Sequence, residues 1–460
     1  MANNGYTIID ADTHILEPPD IWKNHLPKAY QKYAPKLVRD HEGGDAWDHG
    51  TGSPDPIGLV STPGKRFEEF SWFGVKYSEI RKACFSGKDR VKDMDIEGVD
   101  AIVVFPPERT IFRWLGQPDK KVSLAGVDAY NEFAQEDFAA ADRTRIFPMY
   151  QIPSLGVDTA VKYVKKAKDA GARGVLIGSW PNGSANMTKE DDKFWRACAD
   201  AGLPVHVHIM LESRENLTKQ ATDLQAGSSP LKMIEGRRRA IAQYAGVFTR
   251  VTPIISSFLF SGVFERIPKL QLVFVEVGVG WIPHFLEMVD DRYWRNRNWV
   301  EFEIDQPPST YWYTNCAATF MHDHSGIALR HSVGVGNMLW SSDNPHHGND
   351  WPYARKLISE MMADVDPSER SELVAGNAAR IYGLDSVKRS QGSGGAVRAS
   401  TKTASRNGAR RGAAKAKVPS RNGAQRATAK ARVSSDGTRG SAKASKNGAR
   451  STRKAATRRR

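Results

Sequence analysis

Cysteine is scarce in this 460-residue chain, and the three present, Cys84, Cys198 and Cys316, stand far apart. An odd, scattered set has none of the paired spacing that a zinc ribbon or a disulfide framework requires, so it reads as reduced thiols in a cytoplasmic protein. Apolar runs approaching ~20 residues are also missing, as is a basic segment followed by an apolar one at the start. Neither membrane insertion nor secretion is expected. No glycine-rich phosphate-binding turn follows the first apolar stretch, which argues against a dinucleotide-binding fold.

Acids and aromatics are absent from one region in particular. Ser386 to Arg460 contains no Phe, Trp or Tyr and a single acid, Asp436, against 22 of the chain's 66 Lys and Arg. Such a segment cannot bury a core and is expected to be disordered. Residues 1–385 keep 44 basic and 51 acidic side chains, so a mildly acidic body carries a strongly basic tail and the net charge of +14 describes neither. SRNGAR at Ser405, SRNGAQ at Ser420 and SKNGAR at Ser445 form an imperfect repeat, and tails of this composition resemble those of linker histones and bacterial nucleoid proteins. The physical expectation is binding to nucleic acid or another polyanion through counterion release, without sequence preference. The blander alternative is that the tail shields the acidic body or keeps it soluble.

The body is organised around Tyr6 to Pro18, YTIIDADTHILEP. Ile8 and Ile9 run into Asp10, Asp12, His14 and Glu17, the pattern of a short buried strand that ends in a polar cluster. Residues two apart on a strand share a face, so Asp12 and His14 can aim a carboxylate and an imidazole at one ion. Alone, the pair reads equally well as a helix-capping Asp beside a solvated His. What matters is whether later strands end in matching ligands.

A long polar insertion follows, about residues 23–90, rich in Gly, Pro and Asp around Gly43 to Pro63. Excursions of this length inside a compact domain usually serve as lids or substrate-binding loops. Phe67, Phe70, Trp72, Phe73 and Tyr77 need a surface to pack against. Apolar runs resembling buried strands then recur at Ala101–Phe105, Arg145–Ile152, Gly174–Gly178, Pro204–Met210, Leu270–Val277, Tyr311–Cys316 and Met338–Ser342. Helical spacing separates most of them, as in Val122–Ala141, Val157–Ala170 and Gly236–Phe264. With the opening strand this predicts eight strands alternating with helices, a (β/α)8 barrel of the TIM type.

The polar residues favour that closure. Asp12, His14, His206, His208, Glu276 and Asp343 all fall at or just beyond the carboxyl ends of candidate strands, which converge on one mouth in a barrel. Together they make an N/O site for a divalent ion. His206 and His208 share a face; His208 lies nearer the strand end and is the expected ligand. Glu276 interrupts an apolar strand, where an unpaired carboxylate is costly, so it should be paired, liganded or functional. His322, His324, His346 and His347 stand in loop-like sequence and rank only as outer contacts. Arg109 and Arg113, after the second strand, could bind a substrate carboxylate or simply pair with acids of the body.

The motifs IDADTHILEP, RVKDMDIEGVDAIVVFPP, VFVEVGVGWIPHFLEMVDDRYW, LWSSDNPHH and GNAARIYGL, in that order over about residues 6 to 384, resemble the amidohydrolase-related proteins grouped with aminocarboxymuconate semialdehyde decarboxylase. The resemblance implies a (β/α) barrel, one divalent metal ion, zinc or manganese, and a homodimer. It carries metal-ligand roles onto Asp12, His14, His208 and Asp343. Two positions depart from the pattern: many members have His or Glu where Asp12 stands, and the decarboxylases carry a catalytic His where this chain has Glu276.

A divalent ion in such a site lowers the pKa of bound water towards ~7 and polarises a carbonyl or carboxylate oxygen. Asp343 would take the water's proton and return it to the leaving group, and Glu276 would act as a second acid/base or orient a ligand histidine. With Glu276 in place of His, hydrolysis of a C–N, C–O or activated C–C bond in a small substrate is the first expectation. Loss of CO2 from an aromatic or semialdehyde carboxylate is the second. A nucleic-acid-associated protein with a non-catalytic barrel is the third.

Overall fold

The opening strand forms as its sequence requires, with all six residues of Ile9–His14 (β1) buried. It lies in a computed structural model that describes residues 6–50, 54–222 and 245–384, together with Arg238, Ile241, Ala242 and Val387. The basic tail, apart from Val387, lies outside the described residues, as do positions 236, 237, 239, 240, 243 and 244 of the expected helix Gly236–Phe264. Of that helix, Phe248–Phe260 and Val263–Arg266 are seen. Among the described residues no helix is long and apolar enough to cross a membrane.

Parallel to β1 run Ala101–Phe105 (β2), Ile146–Pro148 continued as Tyr150–Gln151 (β3), Val175–Ile177 (β4), Val205–His208 (β5), Leu272–Val275 (β6), Cys316–Phe320 (β7) and Met338–Trp340 (β8). Each pairs in parallel with the next in chain order. Within β3 the chain turns from one neighbour to the other: Met149 N–H donates to Val104 at 2.9 Å, and Tyr150 N–H to Gly174 at 3.1 Å. The ring closes where the chain leaving β8 meets β1, through Asp343 N–H to the Asp12 carbonyl at 2.9 Å and His14 N–H to the Asn344 carbonyl at 2.7 Å. The result is the expected (β/α)8 barrel. Strands covered on both faces read as unbroken apolar runs, and AIVVF of β2 is buried throughout.

The helices have local causes. In Gly87–Glu97, which leads into β2, the Ser86 hydroxyl accepts from Asp89 N–H at the start. Gly98 ends the same helix in the left-handed region at φ 78°.

One expected strand is displaced. Tyr311–Cys316 is not a strand: Pro308–Asn315 is a helix, and the seventh strand is the following CAATF. Pro308 presets the first helical turn, and Tyr311 and Trp312 bury their rings from the helix, so packing overrode their β propensity.

The insertion is built rather than loose. Lys36–Arg39, Asp45–Asp48 and Asp55–Pro56 form a small antiparallel sheet. It is tied to β1 by the Tyr77 hydroxyl, which donates to the Glu17 carbonyl at 2.6 Å and accepts from Trp47 Nε1 at 3.0 Å. It is tied to the segment after β8 by Thr62, whose N–H donates to the Pro345 carbonyl at 3.1 Å and whose hydroxyl donates to the His346 carbonyl at 2.9 Å. Of its aromatic cluster, Phe73 is buried while Phe67 stays exposed.

Candidate metal centre

Three residues at the barrel mouth adopt the left-handed backbone that non-glycine residues avoid: Ile209 after β5, Glu276 after β6 and Asp343 after β8, with φ of 62°, 60° and 60°. Each such conformation costs roughly 1–3 kcal/mol, and clustering of that strain marks a place where side-chain direction matters more than local comfort. Glu276 is held in it by its N–H, which donates to the buried Thr319 hydroxyl at 2.7 Å.

These turns and the inward face of β1 bring Asp12, His14, His208, Glu276, Asp343 and His346 together. Asp12 Oδ1 lies 3.5 Å from His14 Nε2 and 3.6 Å from His208 Nε2. His14 Nε2 is 3.4 Å from Asp343 Oδ1, and His208 Nε2 is 3.6 Å from Glu276 Oε2. The His14 and His346 rings stack at 4.0 Å and 17°. His346 Nδ1 sits 3.0 Å from Asp343 Oδ1, in a geometry that is not a hydrogen bond. Two overlapping donor groups result, Asp12–His14–His208–Glu276 and His14–Asp343–His346, each with its donor atoms within 4.8 Å of one another.

A divalent ion fits this arrangement on chemical grounds. Both Asp12 carboxylate oxygens and Asp343 Oδ1 are buried without a hydrogen-bond partner, a costly state for acids unless a cation sits among them. The Pro106 carbonyl lies 3.2 Å from His14 Nδ1 and places the ring proton there, which leaves the Nε2 lone pair facing the carboxylates. Burial, with His346 and His208 beside it, holds His14 well below the usual histidine range, in the neutral form a ligand needs. Burial and the Asp12 carboxylate push Asp343 well above the usual carboxylate range. Hard oxygen donors mixed with imidazole suit zinc or manganese.

The two histidines of β5 part company. His206 is fully buried lower in the barrel, with Nδ1 2.9 Å from the Val175 carbonyl and Nε2 3.0 Å from the Tyr382 hydroxyl. His208 alone reaches the donor cluster. Arg109 lines the cavity above the cluster and pairs with Asp55 at 2.9 Å. Arg113, one helical turn on, does not line that cavity; its guanidinium faces the Gln117 amide, whose oxygen accepts from it at 2.8 Å. His346 is the residue that sequence reasoning left outside the donor set. Its only signal was its place three residues after Asp343.

The cavity over the cluster has a volume of about 310 Å3. Trp47, Ile57, Leu59 and Trp72 from the insertion, with Ile209, supply its apolar surface.

Residues 9–384 match the model of the amidohydrolase family. Among solved structures, an amidohydrolase from Mycobacterium avium subsp. paratuberculosis aligns with a TM-score of 0.60 at 18% identity, covering 82% of this chain and 98% of that one. The 5-carboxyvanillate decarboxylase of Sphingomonas paucimobilis aligns at 0.55 and 17%, covering 82% and 99%. The dihydroxybenzoic acid decarboxylase of Polaromonas, solved with bound manganese and the inhibitor 2-nitroresorcinol, aligns at 0.54 and 14%, covering 82% and 97%.

Proposed function

The chain belongs to the amidohydrolase family, and from that membership we propose that it is a metal-dependent carboxy-lyase that removes CO2 from a small aromatic carboxylate. The observation that carries this reading is the cavity: a nitrogen and carboxylate donor cluster on one wall, with indole and aliphatic side chains of the insertion facing the same space. That combination suits a flat ring bearing a carboxylate. Similar structures of stated activity are decarboxylases of aromatic acids, which supports it further. Decarboxylation therefore displaces hydrolysis as the first reading, and Glu276 is accommodated by assigning the proton transfer to Asp343.

The chemistry at the ring needs one proton in and CO2 out: the proton adds to the carbon bearing the carboxylate, and the C–C bond then breaks to restore the ring. A divalent ion bound by Asp12, His14, His208 and Asp343, manganese or zinc, would hold the carboxylate and draw electron density from it. Asp343 is the proposed proton carrier: its buried carboxyl, 3.4 Å from His14 Nε2 at the edge of the donor cluster, takes up a proton and passes it to the ring carbon. His346, 3.0 Å away and partly exposed, returns the proton from solvent. Glu276, beside His208, fixes that imidazole and closes the donor cluster on the β6 side. The apolar side chains keep bulk water away from the ring carbon that takes the proton.

The test is a CO2-release assay on manganese-loaded and zinc-loaded protein with a panel of hydroxylated and methoxylated benzoates, run beside aryl esters and anilides. Release of CO2 from at least one acid, abolished by chelation, supports the reading. Cleavage of esters or amides alone returns the assignment to hydrolysis.

A further inference from the structure

Glu17 is a buried acid to which the proposed chemistry gives no task. It is 2% exposed, lines the substrate cavity, and forms no ion pair with Lys or Arg among the described residues. Thr110, from the first turn of the helix after β2, donates its hydroxyl to Glu17 Oε1 and lines the same cavity. Asp55 and Arg109 continue that wall, paired with each other at 2.9 Å, so the guanidinium is already committed to a carboxylate. His49 completes it, and its buried Nδ1 has no hydrogen-bond partner. A wall that holds a buried carboxyl without a cationic partner, and an imidazole whose buried Nδ1 has no hydrogen-bond partner, is costly unless something in the cavity uses them.

The electrostatics restrict what that something is. Burial, reinforced by the Asp55 carboxylate, pushes Glu17 up to about 7, and burial pushes His49 down to about 4. A second substrate carboxylate would enter beside Asp55 and oblige Glu17 to keep its proton. A phenolic hydroxyl or an aromatic amine requires neither, and can donate directly to the carboxyl.

We propose that Glu17, held by Thr110 and flanked by the Asp55–Arg109 pair, recognises a neutral hydrogen-bond donor on the substrate ring and rejects a second carboxylate. The substrate class is then a hydroxy- or amino-substituted aromatic monocarboxylate. This rests on the aromatic-carboxylate reading above, and the experiment separates the two.

Isothermal titration of the manganese-loaded full chain with benzoate, the 3- and 4-hydroxybenzoates, the 3- and 4-aminobenzoates, isophthalate and terephthalate measures the preference as affinity, and a CO2 assay on the same samples shows which acids turn over. In the wild type the best hydroxy or amino acid should bind at least about tenfold tighter than the dicarboxylate of the same substitution pattern. Glu17→Gln offers an amide N–H to an incoming carboxylate and should cut that ratio below about threefold. Thr110→Val leaves the carboxyl in place and should keep the rejection of dicarboxylates. Dicarboxylates binding as tightly as hydroxybenzoates to the wild type, or a ratio unmoved in a folded Glu17→Gln variant, overturn the inference and leave the carboxy-lyase reading standing. Failure of every acid to bind, benzoate included, sinks both.

Discussion

His14 and His208 face each other across the barrel mouth with their Nε2 atoms 3.1 Å apart. The Pro106 carbonyl holds the His14 proton on Nδ1, so this imidazole brings a lone pair to the meeting. With Asp12 Oδ1 3.5 and 3.6 Å from the two nitrogens, a shared cation satisfies all three groups at once. Purified protein should carry about one manganese or zinc per chain by elemental analysis, and the His14→Ala/His208→Ala double variant essentially none. Added metal at ~100 times its dissociation constant should stabilise the wild type by about 2.7 kcal/mol, and leave the melting temperature of the double variant unmoved.

Asp343→Asn should separate binding from chemistry. The amide keeps the shape of the side chain but has no acidic proton to give to the ring carbon. CO2 release should fall by ~10²–10⁴, the range for loss of a positioned acid. Affinity for an aromatic acid, read by calorimetry at a metal concentration that saturates the variant, should change far less. His346→Asn, which removes the group 3.0 Å from Asp343 Oδ1, should slow turnover more mildly.

Much of this site is legible in the linear sequence because strand geometry is simple. The period of two puts Asp12 and His14 on one face, and the position of a polar residue at the end of an apolar run puts His208, Glu276 and Asp343 at the mouth. What the pattern cannot carry is contact between loops. His346 matters through its stacking on His14, a residue more than three hundred positions earlier, and nothing local distinguishes it from a solvated loop histidine. The strands that carry Trp47 to the cavity are four residues or fewer, too short for periodicity to register. Tyr311 and Trp312 misled in the opposite direction, since rings that favour strands pack equally well from a helix.

The insertion should behave as part of the site rather than as a removable lid. Thr62 donates to the His346 carbonyl at 2.9 Å and accepts from Asn349 Nδ2 at 3.0 Å. Thr62→Val keeps the shape and removes both hydrogen bonds, while the Asn349 amide and the His346 carbonyl keep each other, a cost of about 1–2 kcal/mol. Thermal unfolding should shift down by several degrees and kcat/KM should drop. Thr62→Ser, which retains the hydroxyl, should stay close to wild type on both counts.

The basic segment Ser386–Arg460, with 22 Lys and Arg against one acid, should act independently of catalysis. Deleting it should leave CO2 release unchanged and abolish retention on duplex DNA or heparin. For the full chain, the slope of log affinity against log salt should be steeply negative and alike for unrelated DNA sequences. A flat slope, or turnover that falls with the deletion, would tie the tail to the barrel instead.

His206 offers a pH test that is free of the metal when run in chelator. Burial pushes its pKa down from 6.5 to about 4, so the folded protein keeps the ring neutral where the unfolded chain protonates it. A depressed histidine pKa places the stabilisation above the unfolded value and withdraws it as pH falls from 6.5 towards 4. The full effect is about 3 kcal/mol at 1.36 kcal/mol per unit. Asp10, pushed up to about 7, and Glu97, pushed up to about 8, both by burial, act with the opposite sign: they are neutral in the fold and lose stability for it as pH rises. The whole-protein profile therefore mixes the two, and the informative quantity is a difference. His206→Gln can still meet the Val175 carbonyl and the Tyr382 hydroxyl but does not titrate. In urea unfolding series from about pH 7.5 down to about pH 4.5, the advantage of wild type over His206→Gln should shrink steadily, by roughly 2–3 kcal/mol in all. A constant difference across that range would mean that the ring titrates in the fold as it does in the unfolded chain, and an advantage that grows as pH falls would mean that it is charged there; either way the buried neutral pairing with Tyr382 would have to be abandoned.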